Sequence, residues 1–226
     1  MIAAVVLDLD GVLQNPVYPH PKLIADVSAA IGVPFDELYD HYAREFTTNP
    51  AEEKYHLSRC GGDPGKEEKV DEFWRKMDEN MPKANIIPGA RELLEEIALR
   101  GCRIFAWTKV ADEKGLYIQR SRLQRNGLLE FFGDIIYSHR KGTDVGLVED
   151  LVPRLPKGRK LMVGDSYLQD IEPALRQGDF TCVWIRWDQE TPEDFDPTNP
   201  NLTVVESTQE LVQKVKEGVL DVQSDH

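Results

Sequence analysis

The segment Val5-Val6-Leu7-Asp8-Leu9-Asp10-Gly11-Val12 sets two carboxylates two residues apart where an apolar run ends, followed by a glycine that lets the backbone turn. Leu161-Met162-Val163-Gly164-Asp165-Ser166 ends the same way, and Asp170 follows shortly after. Ligands of open α/β sheets bind beyond the carboxyl ends of strands, so both acidic ends lie where a site is expected. Carboxylates gathered from two strand ends repel and raise one another's pKa unless a cation relieves them. Mg²⁺ suits such a place, because it takes a few carboxylates, waters and substrate phosphate oxygens. Each cluster alone has a plainer reading, as a strand-to-turn junction for Asp8 and Asp10 or a helix cap for Asp165. Together they favour a metal. Two further side chains fit between them: the Thr108 hydroxyl can donate to a phosphoryl oxygen, and the Lys141 ammonium can neutralise both phosphate and nucleophile.

The elements that must position these residues are short apolar runs. They are Ile2–Leu7, Arg103–Trp107, Asp134–Tyr137, Lys160–Val163 and Thr181–Ile185, with Leu202–Val205 weaker. Continuous apolar character, without alternation, predicts strands covered on both faces, as in a parallel sheet. Helical spacing predicts helices over Gly89–Arg100, with Leu93, Leu94, Ile97 and Ala98 on one face, and over Asp144–Leu155, through Val145, Val148, Leu151 and Val152. Asp170–Gln177 and Thr208–Gly218 complete an alternation that predicts an α/β core with a doubly wound, Rossmann-like parallel sheet. Residues 14–86 hold no convincing strand. Pro21–Ile31, Pro34–Phe46 and Glu67–Met77 read as helices around a turn-rich Cys60–Gly65 loop, so the segment is expected to be an all-helical insertion. The expected domains are a core of 1–13 and 87–226 and a cap of 14–86.

Composition narrows the function classes. The 226 residues carry 27 Lys plus Arg against 40 Asp plus Glu, a net charge of −13. That surplus argues against a nucleic-acid partner, which needs a cationic face. Cys60, Cys102 and Cys182 form no metal-ligand spacing and read as ordinary thiols of a reducing compartment. Asp8 ends an N-terminal apolar run too short for a signal segment or membrane span. The expectation is a cytoplasmic chain, monomer or homodimer, without a membrane partner.

The ordered set Asp8-Leu9-Asp10-Gly11-Val12, Thr108, Lys141 and Gly164-Asp165-Ser166 with Asp170 resembles the signatures of the haloacid dehalogenase-like (HAD) hydrolase superfamily. The resemblance covers the core and accounts for the insertion as a helical cap. It implies that Asp8 is a nucleophile forming an aspartyl-phosphate, and that Asp10 is general acid and then general base. It further implies that Thr108 binds the phosphoryl group and Lys141 balances charge at Asp8. Mg²⁺ would be held by Asp8, Asp165 and the Asp10 carbonyl, with Asp170 ordering the metal shell or Lys141. Lys109 and Gly142 depart from the residues relatives commonly carry there.

What the resemblance implies is a phosphoric monoester hydrolase for a small phosphorylated metabolite. A phosphomutase or a 2-haloacid dehalogenase would share the fold, although the dehalogenase has little use for Asp10. A non-catalytic phospho-ligand-binding protein would gain nothing from a nucleophile facing an anion. Within the cap, His41, Arg44, Lys54, His56 and Arg59 are candidate substrate contacts, although each alone reads as a solvated helix residue; the Gly61–Gly65 loop is a candidate to reach the core site, and Tyr39, Phe46 and Trp74 are the expected cap core.

Overall fold

A computed structural model of the chain describes residues 2–14, 28–29, 86–109, 113–187, 189, 191–192 and 195–218. The chain divides into two compact units, one of residues 1–15, 85–109 and 123–226, the other of 16–84 and 110–122. Apart from Ser28 and Ala29, the expected cap helices, their candidate substrate contacts and their core aromatics lie outside the described residues, as does Cys60.

All six expected strands are present. They are β1 (Ala4–Leu7), β2 (Arg103–Thr108), β3 (Phe132–Tyr137), β4 (Lys160–Gly164), β5 (Phe180–Ile185) and β6 (Leu202–Val205). They form one sheet in the order β3-β2-β1-β4-β5-β6, parallel at every pairing. Every residue of β1, β4 and β5 is buried, which is why these strands read as unbroken apolar runs. Successive strands step one way from β1 and the other way from β4. The crevice at the carboxyl ends of β1 and β4 is therefore the topological switch point, where such sheets bind ligands.

On one face, Val6, Phe105, Trp107, Met162 and Trp184 pack with Leu147, Leu151, Tyr167 and Ile171. α1 (Ala90–Leu99) packs against β2 and against α4 (Thr208–Lys216). The apolar face of α1 is Ala90, Leu93, Leu94 and Ile97; Ala98, expected on that face, is exposed. Ser207 caps α4 by accepting from the Glu210 N–H at 3.1 Å, and the Thr208 hydroxyl donates to the Val12 carbonyl at 2.8 Å. That second bond ties α4 to the loop after β1.

Three helical details differ from expectation. α2 (Glu113–Arg125) has no counterpart in the sequence reading, because Leu116, Tyr117 and Ile118 are consecutive, not spaced by three or four. Its residues 113–122 belong to the second unit. Gly146–Leu151 is wound as a π-helix, followed by a 3₁₀ turn at Val152–Arg154. This winding buries Gly146, Leu147 and Leu151 and leaves Val145 and Val148, expected inside, exposed. The cause is local: a Cβ at Gly146 would lie 2.3 Å from the Arg140 carbonyl oxygen, so the glycine side of the helix faces the Lys141 loop. Tyr167–Ile171 is also π-helical and runs into the short α3 (Glu172–Leu175). No helix of the described residues is long and apolar enough to cross a membrane.

Candidate active site

Asp8 is positioned by sheet pairing that runs one residue past β1: its N–H donates to the Val163 carbonyl at 2.9 Å. Asp165 leaves β4 directly after Gly164. The capping of the next helix falls to Ser166, whose hydroxyl accepts from the Gln169 N–H at 3.3 Å, so the Asp165 carboxylate is not spent on that role. The π turn then places Asp170, fully buried, back against the strand end, where the Ser166 N–H donates to Asp170 Oδ2 at 3.1 Å. Gly164 makes this return possible, since a Cβ there would stand 2.2 Å from the Asp170 Cβ.

Lys141 comes from the loop after β3, which is tightly built. The Ser138 N–H donates to the Thr108 carbonyl at 3.2 Å, the Ser138 hydroxyl to Asp150 at 2.5 Å, and the Arg140 N–H to Ser138 Oγ at 2.9 Å. The Arg140 guanidinium also pairs with Asp150 and, at 2.7 Å, with Glu149. His139 is exposed, whereas Arg140 fastens the loop. At Gly142 the chain takes φ +93°, and Lys141 turns inward. Its Nζ lies 2.5 Å from Asp8 Oδ1 and 2.8 Å from Asp170 Oδ1, with the lysine side chain only 4% exposed. The Trp107 ring lies beneath it, its centroid 5.7 Å from Nζ, within cation–π range.

Ligand atoms of Asp8, Asp165 and Asp170 lie within 4.8 Å of one another, so three buried or half-buried carboxylates share one ammonium. Burial, together with Asp170 and Asp165, pushes the Asp8 carboxyl well above its usual range although Lys141 pulls it down. Burial and Asp170 push Asp165 up to about 7. Burial alone would lower the Lys141 pKa, but Asp170 and Asp8 outweigh it and raise the ammonium above its ordinary value. The cluster is thus short of positive charge and rich in hard oxygen donors, which is the donor set Mg²⁺ prefers. Backbone space for it exists because residue 11 lacks a side chain: a Cβ there would stand 2.0 Å from Asp165 Oδ2, and Gly11 has φ +80°. Gly11→Ala is accordingly expected to cost about 1–3 kcal/mol in denaturant unfolding and to displace Asp165. Wild-type stability in that variant would mean that the loop adapts and the approach is not obligatory.

Of the expected site residues, the structure brings Asp8, Lys141, Asp165 and Asp170 together. Thr108 is buried at the end of β2, beside β1 in the sheet, where Leu7 pairs with Ala106 two residues before it. Asp10 lies in the loop after β1, bridged to Gln14, and is close enough for its charge to act on Asp165. Its carboxylate is not one of the three clustered groups. Unexpected from sequence are three tryptophans: Trp107 beneath Lys141, Trp184 donating to the Asp165 carbonyl at 2.9 Å, and Trp187 donating to the Gly11 carbonyl at 2.9 Å. Indole donors to main chain belong to no motif; their only signal is an aromatic residue at or beyond a strand end.

No family model matches the chain, and no curated protein matches it by sequence. Solved structures do match. An HAD phosphatase from Thermococcus onnurineus superposes with TM-score 0.61 at 20% identity, covering 95% of this chain and 98% of that one. A haloacid dehalogenase-like family hydrolase from Streptococcus pneumoniae gives 0.63 at 18% identity, over 94% and 98%. A protein from Bacillus subtilis solved bound to magnesium gives 0.57 at 18% identity, over 95% and 98%. At these identities the likeness establishes architecture, and the chain has the fold of the haloacid dehalogenase-like hydrolases.

Proposed function

We propose that this protein is a Mg²⁺-dependent phosphatase that hydrolyses a small phosphorylated metabolite through an aspartyl-phosphate at Asp8. The observation that carries this reading is the buried Asp8–Lys141–Asp170 arrangement at the switch point, with Asp165 beside it. Such a cluster is costly unless it works on an anion with a cation's help. The magnesium in the Bacillus subtilis structure and the phosphatase from Thermococcus onnurineus support the same choice.

Lys141 holds Asp8 Oδ1, so the other carboxylate oxygen is the nucleophile. It forms the new bond to phosphorus while the ester bond breaks, and Asp10 gives its proton to the departing alkoxide. Water then attacks phosphorus, Asp10 takes its proton, and the acyl–phosphate bond breaks to restore Asp8 and release inorganic phosphate. Thr108 donates to a phosphoryl oxygen, and Lys141 favours the ionised form of Asp8 against its burial and offsets charge between the two steps. Asp8, Asp165, Asp170 and the Asp10 carbonyl would hold Mg²⁺, which when bound neutralises charge on the phosphoryl oxygens and lets three carboxylates stand together. Substrate choice is assigned to segment 14–86.

The test is hydrolysis of an aryl phosphate and a panel of phosphorylated metabolites, with Mg²⁺ and with a chelator. Turnover is expected only with the metal, falling by at least about 100-fold on chelation. Turnover indifferent to chelation, or none across the panel, would contradict the reading.

A further inference from the structure

We propose that Trp187 is a positioning residue of this site, its indole N–H fixing the Asp10–Gly11 turn in the geometry that lets the two acidic loops share a cation. The inference rests on the metal-dependent reading above. It begins with Gly11, the residue of the turn with the greatest backbone freedom, where a Cβ would stand 2.0 Å from Asp165 Oδ2. Both of its peptide groups are held: its N–H donates to the Gln14 carbonyl at 2.9 Å, and its carbonyl accepts from Trp187 Nε1 at 2.9 Å. The first bond lies within the turn itself. The second comes from far along the chain and, beside the Thr208 bond to the Val12 carbonyl, fixes the turn from outside at Gly11 itself.

Trp187 makes that bond from a costly backbone. Its φ is +48°, and it is the one non-glycine residue with positive φ among the described residues. For a bulky side chain that conformation is a genuine outlier, and outliers of this kind gather where function requires them. β5 has already ended at Ile185, and the pairing continues only to Arg186, whose N–H donates to the Val205 carbonyl at 2.8 Å. The sheet therefore does not demand this conformation; turning the indole towards Gly11 gives it a purpose. Trp184 repeats the pattern on the other acidic loop. It donates to the Asp165 carbonyl from a buried seat between Tyr167 and Phe195, with ring centroids 5.2 and 5.5 Å away. The end of β5 thus braces the main chain of both loops that carry the carboxylates, and Trp187 is the strained member of the pair.

Two variants separate the donor from the strain. Trp187→Phe keeps an aromatic ring and loses the N–H; Trp187→Gly also removes the backbone strain. Hydrogen exchange by mass spectrometry on the metal-free protein reads the turn directly, through peptides spanning residues 8–14, and needs neither metal nor turnover. Exchange there is expected to quicken about tenfold in both variants, with core peptides unchanged. Mg²⁺ binding followed by calorimetry is expected to weaken about tenfold, the scale seen when a partner of a metal ligand is removed. On an aryl phosphate, kcat is expected to fall by a similar factor while KM stays within about threefold.

Should Trp187→Phe fail to fold, Trp187→Gly decides alone. Wild-type exchange, or wild-type Mg²⁺ affinity, in a folded variant overturns the proposal. If the wild type itself neither binds Mg²⁺ nor turns over, the phosphatase reading fails, and the exchange data still decide whether Trp187 holds the turn.

Discussion

Asp8→Asn is expected to abolish turnover while leaving the protein at least as stable as the wild type. The loss should be large, roughly 10⁴-fold or more, because removing a nucleophile leaves only binding and charge stabilisation. The stability claim comes from the charge balance. Asp8, Asp165 and Asp170 crowd one ammonium, and Asp8 is held well above its usual pKa range chiefly by burial. Asparagine keeps the shape and removes one of three competing negative charges, and Asp170 still pairs with Lys141. A thermal melt and a phosphatase assay on the same sample test both halves. A variant that is inactive because it has unfolded would contradict the view that this carboxylate is kept at some cost to stability.

Lys141→Met is expected to damage both properties. The lysine is 4% exposed and is the counter-charge of a buried cluster, so deleting it leaves Asp8 and Asp170 facing each other and Asp165 without a cation. Removing one partner of a buried pair costs about 3–5 kcal/mol, because the remaining charge is left uncompensated. That loss is expected in metal-free unfolding, with part regained in millimolar Mg²⁺, because an added cation can replace some of the missing charge. Lys141→Arg should not rescue activity, since the larger planar guanidinium does not fit the closed seat a compact ammonium fills between Asp8 and Asp170. Wild-type stability without metal in Lys141→Met would remove the electrostatic basis of the site. The two substitutions thus act in opposite senses on stability, although they alter neighbouring side chains and both reduce turnover.

Much of the core was legible because its signals are local. β1, β4 and β5 are buried on both faces and so appear as uninterrupted apolar runs, and Gly11 after Asp8 and Asp10 marks a turn. Lys141 was legible only as the follower of a strand. Nothing in its flanking residues announces the Ser138–Asp150–Arg140 network that turns it inward, because that network joins residues from two separate elements. The π winding of Gly146–Leu151 was hidden for a related reason: the close approach of Gly146 to the Arg140 carbonyl decides which side of the helix is buried, overriding the spacing of Val145 and Val148. α2 offers only one spaced apolar pair, Leu116 and Leu123, beside three consecutive apolar residues. Trp184 and Trp187 act through main-chain carbonyls distant in sequence, and a carbonyl is present at every position, so no pattern of residue types points to them.

The central claim is that phosphoryl transfer passes through Asp8, and trapping the covalent intermediate tests it most directly. The protein is mixed with Mg²⁺ and a rapidly hydrolysed aryl phosphate, quenched in acid within the first turnovers, and mapped by peptide mass spectrometry. The expected result is a phosphoryl group on the peptide carrying Asp8, lost on treatment with base or hydroxylamine as an acyl phosphate is, and absent from Asp8→Asn. Steady turnover with no phosphoryl group on Asp8, or with the group on another side chain, would contradict the account.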